Sequence, residues 1–186
     1  MAKFILLHGT DGTPESNWFM WLKGALIGQG HSVWLPQLPN AHVPDTEAYN
    51  ELLLSNKSFT VDDDTILIGH SSGAVAILNL LQHLPSGQTV KAAILVSAFM
   101  NDLGEDNLRG LFAEPLDFES IKAACSKIFI IHSDDDPYSS LEHPRFLAEH
   151  TGGELLIYEG QRHFNTELGP KYKRFPLLLE IINSVL

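Results

Sequence analysis

Short apolar runs alternate along this sequence with stretches in which apolar residues recur every three or four positions. The short runs predict six strands, at residues 3–7, 32–35, 66–68, 92–97, 127–132 and 154–158. The longer stretches predict a helix that carries Trp18 to Leu26 and further helices over 46–54, after residue 71, and over 118–124, 141–150 and 171–185. Because the connections are too long for hairpins, the pattern predicts a mostly parallel sheet with helices on both faces.

Two details of this pattern lie outside the regular elements. A serine or asparagine before Trp18 is expected to cap the first helix, and the helix packs Trp18 and Trp21 against the core. Residues 99–118 mix acidic, amide and glycine residues with scattered apolar ones. This segment is expected to be mostly irregular and to form at most a short lid.

The chain is organised around the pentapeptide from Gly69 to Gly73, in which Ser71 is the central residue. An apolar strand precedes this G-x-S-x-G motif and a helix follows it, which is the context of a nucleophile elbow. Such a turn forces the serine into a strained backbone conformation, and Gly69 and Gly73 leave the room that it needs. The same turn directs the amide of Ser72 toward the serine hydroxyl.

A serine hydroxyl becomes a useful nucleophile when a histidine takes its proton and a carboxylate orients that histidine. In a parallel sheet these groups belong in the loops at the carboxyl ends of the strands. Among nine histidines, His163 has this position, in a short loop after the sixth strand. Asp136, rigidly placed before Pro137, is the first choice for the acid, and Asp135 is the alternative.

The loop after the first strand contains His8, Gly9 and Thr10, and it should approach the elbow at the same edge. We expect the backbone amide of Thr10, with that of Ser72, to stabilise a developing oxyanion. A neighbour of Thr10 in this loop is the alternative donor. The chain order Ser71, Asp136, His163 is the order found in α/β-hydrolases, and it differs from that of the trypsin-like and subtilisin-like proteases.

Composition narrows the choice of partners and cofactors. The chain has 186 residues, which fits a single domain over 1–186, and its net charge of −11 argues against nucleic acid and anionic membrane partners. The single Cys125 cannot form an internal disulfide, and no apolar run is long enough for a membrane span or a signal peptide, so the chain is expected to be cytoplasmic. No metal or cofactor is expected, because metal-ligand spacings and the dinucleotide motif G-x-G-x-x-G are missing.

Several motifs in this order resemble a known family. They are GHSSGA at 69–74, an opening HG loop followed by NWFMW at 17–21, LVSAF at 95–99, DDPY at 135–138 and HFNTE at 163–167. Together they resemble the small serine hydrolase family that contains retinoblastoma-binding protein nine and the bacterial YdeN-type proteins. The resemblance spans nearly the whole chain.

The resemblance implies a compact α/β-hydrolase with a six-stranded sheet, and its triad falls on Ser71, Asp136 and His163. The family often has His-Trp where this chain has Asn17-Trp18, and a V-P or L-P pair where it has Ser139-Ser140. Neither difference affects the triad, but both are expected to reshape the pocket.

The sequence therefore predicts a serine hydrolase of the carboxylesterase type, which cleaves small ester, thioester or activated amide substrates through an acyl-enzyme. The alternative is a protein-interaction module on a hydrolase scaffold with little turnover, whose partner the sequence does not identify. A small-molecule carrier without serine chemistry is a third hypothesis. Reactivity of Ser71 separates the enzyme from both.

Overall fold

Six strands form one sheet in the order β2-β1-β3-β4-β5-β6, and every neighbouring pair is parallel. This arrangement is seen in a computed structural model that describes all residues, Met1–Leu186. The strands are β1 (Lys3–Leu7), β2 (Ser32–Trp34), β3 (Thr65–His70), β4 (Ala92–Val96), β5 (Ile128–Ser133) and β6 (Glu154–Tyr158). The predicted six-stranded parallel sheet is confirmed.

Six α-helices connect or follow these strands. They are α1 (Phe19–Gly28), α2 (Thr46–Ser55), α3 (Ser72–Gln82), α4 (Phe118–Ala124), α5 (Glu142–Thr151) and α6 (Pro176–Val185). Two short 3₁₀ helices, Asp106–Phe112 and Pro170–Lys173, lie in the long connections. The irregular segment predicted at 99–118 therefore contains one short regular piece.

Two predictions about helix starts were wrong. The last helix was predicted from residue 171, but α6 begins at Pro176, because the residue before a proline is pushed out of helical conformation and Phe175 has a non-helical backbone (φ −140°, ψ 72°). The first helix begins without a side-chain cap at Trp18. Asn17 instead has a left-handed backbone (φ 52°), and its side chain contacts a distant loop that is described below.

The helices cover the sheet on both faces. Residues alternate along β1, so that Phe4 and Leu6 pack with α1 and α6, while Ile5 and Leu7 pack with the helices of the other face. Helix α3 lies in the centre of that second face and is buried from Ser72 to Leu81. Because both faces are covered, the open part of the sheet is its edge at the carboxyl ends of the strands.

The chain changes direction across the sheet between β1 and β3. It leaves β1 outward to β2 and then returns to the other side of β1, where β3 pairs with Leu7 opposite Gly69. Loops that follow β1 and β3 therefore diverge from adjacent strands and leave a crevice, which is the usual position of a site in such sheets. The predicted elbow follows β3 at this point.

Cys125 is free and buried, and burial raises its pKa to about 11, which keeps the thiol protonated and unreactive at neutral pH.

Among the helices, the longest has 11 residues, and none has the length and apolar character needed to span a bilayer.

Candidate active site

Ser71 occupies a sharp turn between the end of β3 and the first residue of α3. Its backbone has φ 57° and ψ −126°, a conformation that costs free energy for any residue with a side chain. The surrounding structure holds it there, since the amide of Ser71 donates to the carbonyl of Val96 at 2.8 Å and its own carbonyl accepts from Ala74 at 2.9 Å. This is the geometry of a nucleophile elbow.

The glycines around Ser71 are required by close backbone contacts. A Cβ at Gly69 would lie 2.4 Å from the carbonyl oxygen of Gly73, and a Cβ at Gly73 would lie 2.3 Å from that of Leu7. Gly9, in the loop after β1, would place a Cβ 3.0 Å from that of Ser71. The first two positions allow the turn to close, and Gly9 allows the β1 loop to approach the serine.

We expect Gly73→Ala to destabilise the fold by about 3 kcal/mol or more, because the added methyl group overlaps backbone atoms that cannot move independently of the sheet. A matched control is Gly24→Ala, in the interior of α1, where an added Cβ meets no atom within 4 Å. This control is expected to stabilise the protein by ~0.5 to 1 kcal/mol, through better helix propensity. Urea unfolding measures both, and equal effects would contradict the packing argument.

His163 and Asp136 are in direct contact across two neighbouring loops. His163 Nδ1 lies 2.7 Å from Asp136 Oδ2, and the carboxylate is fully buried. The other oxygen, Oδ1, accepts from the amides of Tyr138 at 2.9 Å and Ser139 at 3.3 Å. Burial alone would raise the pKa of Asp136, but its contacts with His163 and the Tyr138 amide lower it below the ordinary value, so the group is ionised at neutral pH.

Asp135, the alternative acid from the sequence, has a different contact. Its Oδ1 accepts from the hydroxyl of Ser133 and from the amide of Arg162, both at 2.7 Å. Arg162 and Phe164, which flank His163, both have left-handed backbones (φ 54° and 52°), so this loop is tightly wound. Asp135 thus supports the loop, while Asp136 contacts the imidazole.

Three more side chains fix the His163 loop from the opposite side. His70 Nε2 donates to the carbonyl of His163 at 2.7 Å, and Trp18 Nε1 donates to that of Phe164 at 3.1 Å. Asn17 Oδ1 accepts from the amide of Thr166 at 2.9 Å. Trp18 is buried as predicted, and its indole N–H also has a specific partner.

His70 is a supporting residue that the sequence analysis missed, although its place beside Ser71 in the elbow was a signal. Burial is the main cause that lowers the pKa of His70 from 6.5 to about 3, and the proximity of His163 is the second cause. The imidazole therefore stays neutral at neutral pH. Because its Nε2 carries the proton that is donated to His163, His70 positions that residue and does not compete for a proton.

The low pKa of His70 makes stability depend on pH. Unfolded His70 titrates near 6.5 and folded His70 near 3, so between these values the unfolded chain binds the extra proton and stability falls as pH falls. We expect the free energy of unfolding of the wild type to drop, relative to that of His70→Gln, by ~1.4 kcal/mol per pH unit from pH ~6 to ~4. Parallel urea-unfolding curves for the two proteins across this range would contradict the assignment.

The loop after β1 contacts the elbow through side chains. Thr10 Oγ1 donates to Ser72 Oγ at 2.9 Å, and the amide of Thr10 makes no hydrogen bond within the protein. The amide of Ser72 opens helix α3, where the first N–H groups have no carbonyl partner in the helix. His8 holds the loop from behind, because its Nε2 accepts from the amide of Leu38 at 3.1 Å. Neither amide is used by a partner within the protein, and their role as oxyanion donors stays a prediction.

A cavity of about 520 Å³ joins these groups, and Ser71, His163 and Thr10 all line it. Ser71 and His163 share this cavity without a direct hydrogen bond between them. Tyr138 stands over His163, with ring centroids 4.8 Å apart in an edge-on arrangement. No group of three or more His, Cys, Asp or Glu side chains is arranged to hold a metal ion. The serine and the imidazole line the cavity, and the Asp136 carboxylate contacts the imidazole.

Comparison with known proteins places this geometry in a family. A family model described as "Serine hydrolase" matches residues 4–184. "Serine hydrolase RBBP9" of Rattus norvegicus is 29% identical over 206 aligned positions, covering 100% of this chain and 96% of the relative. YdeN of Bacillus subtilis (strain 168) is 27% identical over 96% of this chain and 93% of the relative. The crystal structure of the ydeN gene product matches with a TM-score of 0.91 at 24% identity, covering 100% of this chain and 98% of that one. The resemblance inferred from the sequence is confirmed.

Proposed function

This chain belongs to the serine hydrolase family, and from that premise we propose that it cleaves small carboxylic esters, thioesters or activated amides through an acyl-enzyme. The observation that carries the proposal is the 2.7 Å contact between His163 and the ionised Asp136, in the same cavity as a serine on a strained elbow. A buried carboxylate that contacts an imidazole fixes its tautomer, and this leaves Nε2 free to accept a proton.

The proposed reaction begins when Ser71 Oγ attacks the substrate carbonyl carbon and His163 takes the hydroxyl proton. The carbonyl oxygen becomes an oxyanion that accepts from the amides of Thr10 and Ser72, while Asp136 stabilises the imidazolium. His163 then returns the proton to the leaving group as its bond to the carbonyl carbon breaks. Water, activated by His163, releases the acid from Ser71 and restores the serine hydroxyl.

The shape of the site favours a small substrate. The cavity is open to solvent at the sheet edge and holds about 520 Å³, which fits a small molecule rather than a long peptide. The segment of residues 99–118, which contains a single short 3₁₀ helix, contributes part of the lining, together with the loops after β1 and β6. We therefore propose esterase activity of the carboxylesterase type, without a cofactor, ahead of peptidase activity.

The proposal is tested by fluorophosphonate labelling of the folded wild-type protein, followed by hydrolysis of short-chain p-nitrophenyl esters. Intact mass should show one phosphonyl group, peptide mapping should place it on Ser71, and ester turnover should be blocked in the labelled protein. If the folded protein neither reacts nor turns over any ester, the enzyme hypothesis is overturned. The interaction-module hypothesis would then become the better one.

A further inference from the structure

The cavity that contains Ser71 has a one-sided charge. Its lining includes three carboxylates, Asp11, Glu105 and Glu167, and no lysine or arginine. Only four of its 18 lining residues are hydrophobic, and two of those, Phe99 and Tyr138, are aromatic. A cavity with this lining attracts a cation and repels an anion.

The position of Glu167 indicates which end of a bound substrate would meet the negative charge of the lining. Glu167 follows His163 by four residues and lines the cavity with Tyr138, whose ring stands over the imidazole. The pKa of the Tyr138 phenol is raised mainly by burial and secondly by the charge of the nearby Glu167. The imidazole is the group that returns a proton to the leaving group, so a leaving group bound beside His163 and Tyr138 would also meet the charge of Glu167.

The basic side chains near this cavity are already paired elsewhere. Arg109 contacts Asp106 at 2.7 Å and Asp102 at 3.6 Å, and Arg162 contacts Asp135 at 3.3 Å. Glu105 and Glu167 have no ion-pair partner, and Asp11 contacts only His42, at 2.8 Å. All three carboxylates are exposed to solvent, and no lysine or arginine side chain neutralises them, so they are free to pair with a cationic group of a bound molecule.

From this lining we infer that the preferred substrates carry a positive charge on the leaving group, as in esters and thioesters of protonated amino alcohols or of quaternary ammonium alcohols. This inference rests on the proposed function and adds a substrate class to it. The aromatic rings of Tyr138 and Phe99 add a second attraction, because a quaternary ammonium group binds well against aromatic faces. The carbonyl carbon still bonds to Ser71, and the cationic alcohol or thiol leaves with the proton from His163.

The test uses three butyryl thioesters of matched size. One has thiocholine as leaving group, the second has the uncharged isostere with a tert-butyl group in place of trimethylammonium, and the third has mercaptopropionate. The rate of phosphonylation is measured in parallel with phosphonothiolates that carry the same three leaving groups, so that the comparison needs only a reactive serine. We expect kcat/KM and the phosphonylation rate to be about tenfold higher for the cationic than for the neutral compound, and lowest for the anionic one.

Two variants connect this preference to the carboxylates. Glu167→Gln keeps the size of the side chain and should reduce the ratio of cationic to neutral rates by about three- to tenfold. Glu149→Gln removes the same charge from an exposed position of α5, outside the cavity, and should leave the ratio unchanged. Added salt should also reduce the ratio in the wild type, because partly exposed charges are screened.

The outcomes separate this inference from the proposed function. Equal rates for the cationic and neutral compounds, or a preference for the anionic one, would overturn the inference and leave a serine hydrolase of other specificity. A preference that survives both high salt and Glu167→Gln would likewise overturn it. Failure of the folded protein to react with any of the six compounds would overturn the proposed function, and the inference with it.

Discussion

Replacement of Ser71 by alanine is expected to abolish fluorophosphonate labelling and to lower ester hydrolysis by a factor on the order of 10³ to 10⁶. The reason is chemical, because alanine has no atom that can form the acyl-enzyme. The backbone at this position has φ 57° in the wild type, and alanine has the same Cβ, so the turn should persist. Labelling, turnover of p-nitrophenyl butyrate and urea unfolding, measured on the same preparation, distinguish lost chemistry from a lost fold.

Ser97→Ala is the matched control for that experiment. Ser97 follows β4 at the same sheet edge and also has a left-handed backbone (φ 51°), but its buried hydroxyl makes no hydrogen bond. Removal of an unpaired buried hydroxyl costs little stability, so this variant should fold, label and turn over ester as the wild type does. Labelling that persists in Ser71→Ala would mean that another nucleophile reacts, and the elbow assignment would then fail.

Much of this site could be predicted because it depends on short-range patterns. An apolar strand, a glycine-flanked serine and a helix follow one another within about twenty residues, and the parallel sheet brings the loops after its strands to one edge. The order of the motifs then placed Ser71, Asp136 and His163 together. The sequence had left open whether Asp135 or Asp136 contacts His163, and the structure shows that Asp136 does.

The features that sequence could not provide are long-range ones. Asn17 seemed a helix cap because asparagine before a helical pattern usually is one, yet its side chain bonds to Thr166 at the other end of the chain. His70 contacts the carbonyl of His163, 93 positions away, and nothing in its local pattern reveals that partner. The roles of Asn17 and His70 are thus set by tertiary contacts, and these contacts form only when the folded sheet brings distant loops together.

The acidic lining of the cavity is also a product of this assembly. Asp11 comes from the loop after β1, Glu105 from the segment between β4 and α4, and Glu167 from the loop after β6. In the sequence they are spread among 23 acidic residues, and the net charge of −11 predicts only which partners the chain avoids. Because the fold gathers these three carboxylates around one cavity, the negative charge there bears on which substrate the cavity prefers.

Asp136→Asn is expected to lower kcat/KM for p-nitrophenyl butyrate by a factor on the order of 10⁴, with little change in folding. The wild-type Oδ1 accepts from two backbone amides, so the asparagine oxygen should keep that place and turn its NH₂ group toward His163. That NH₂ group would donate to Nδ1 and move the imidazole proton to Nε2. His163 could then no longer accept the proton of Ser71.

Asp135→Asn is the companion variant. It tests which of the two carboxylates orients His163, a choice that the sequence left open. Its oxygen can still accept from Ser133 and Arg162, so the loop around His163 should remain in place and the loss should be at most about tenfold. A larger loss for Asp135→Asn than for Asp136→Asn would contradict the assignment, because it would make the loop support more important than the imidazole contact. The rate of fluorophosphonate labelling should fall in the same order as kcat/KM, since phosphonylation needs the same transfer of the Ser71 proton to His163.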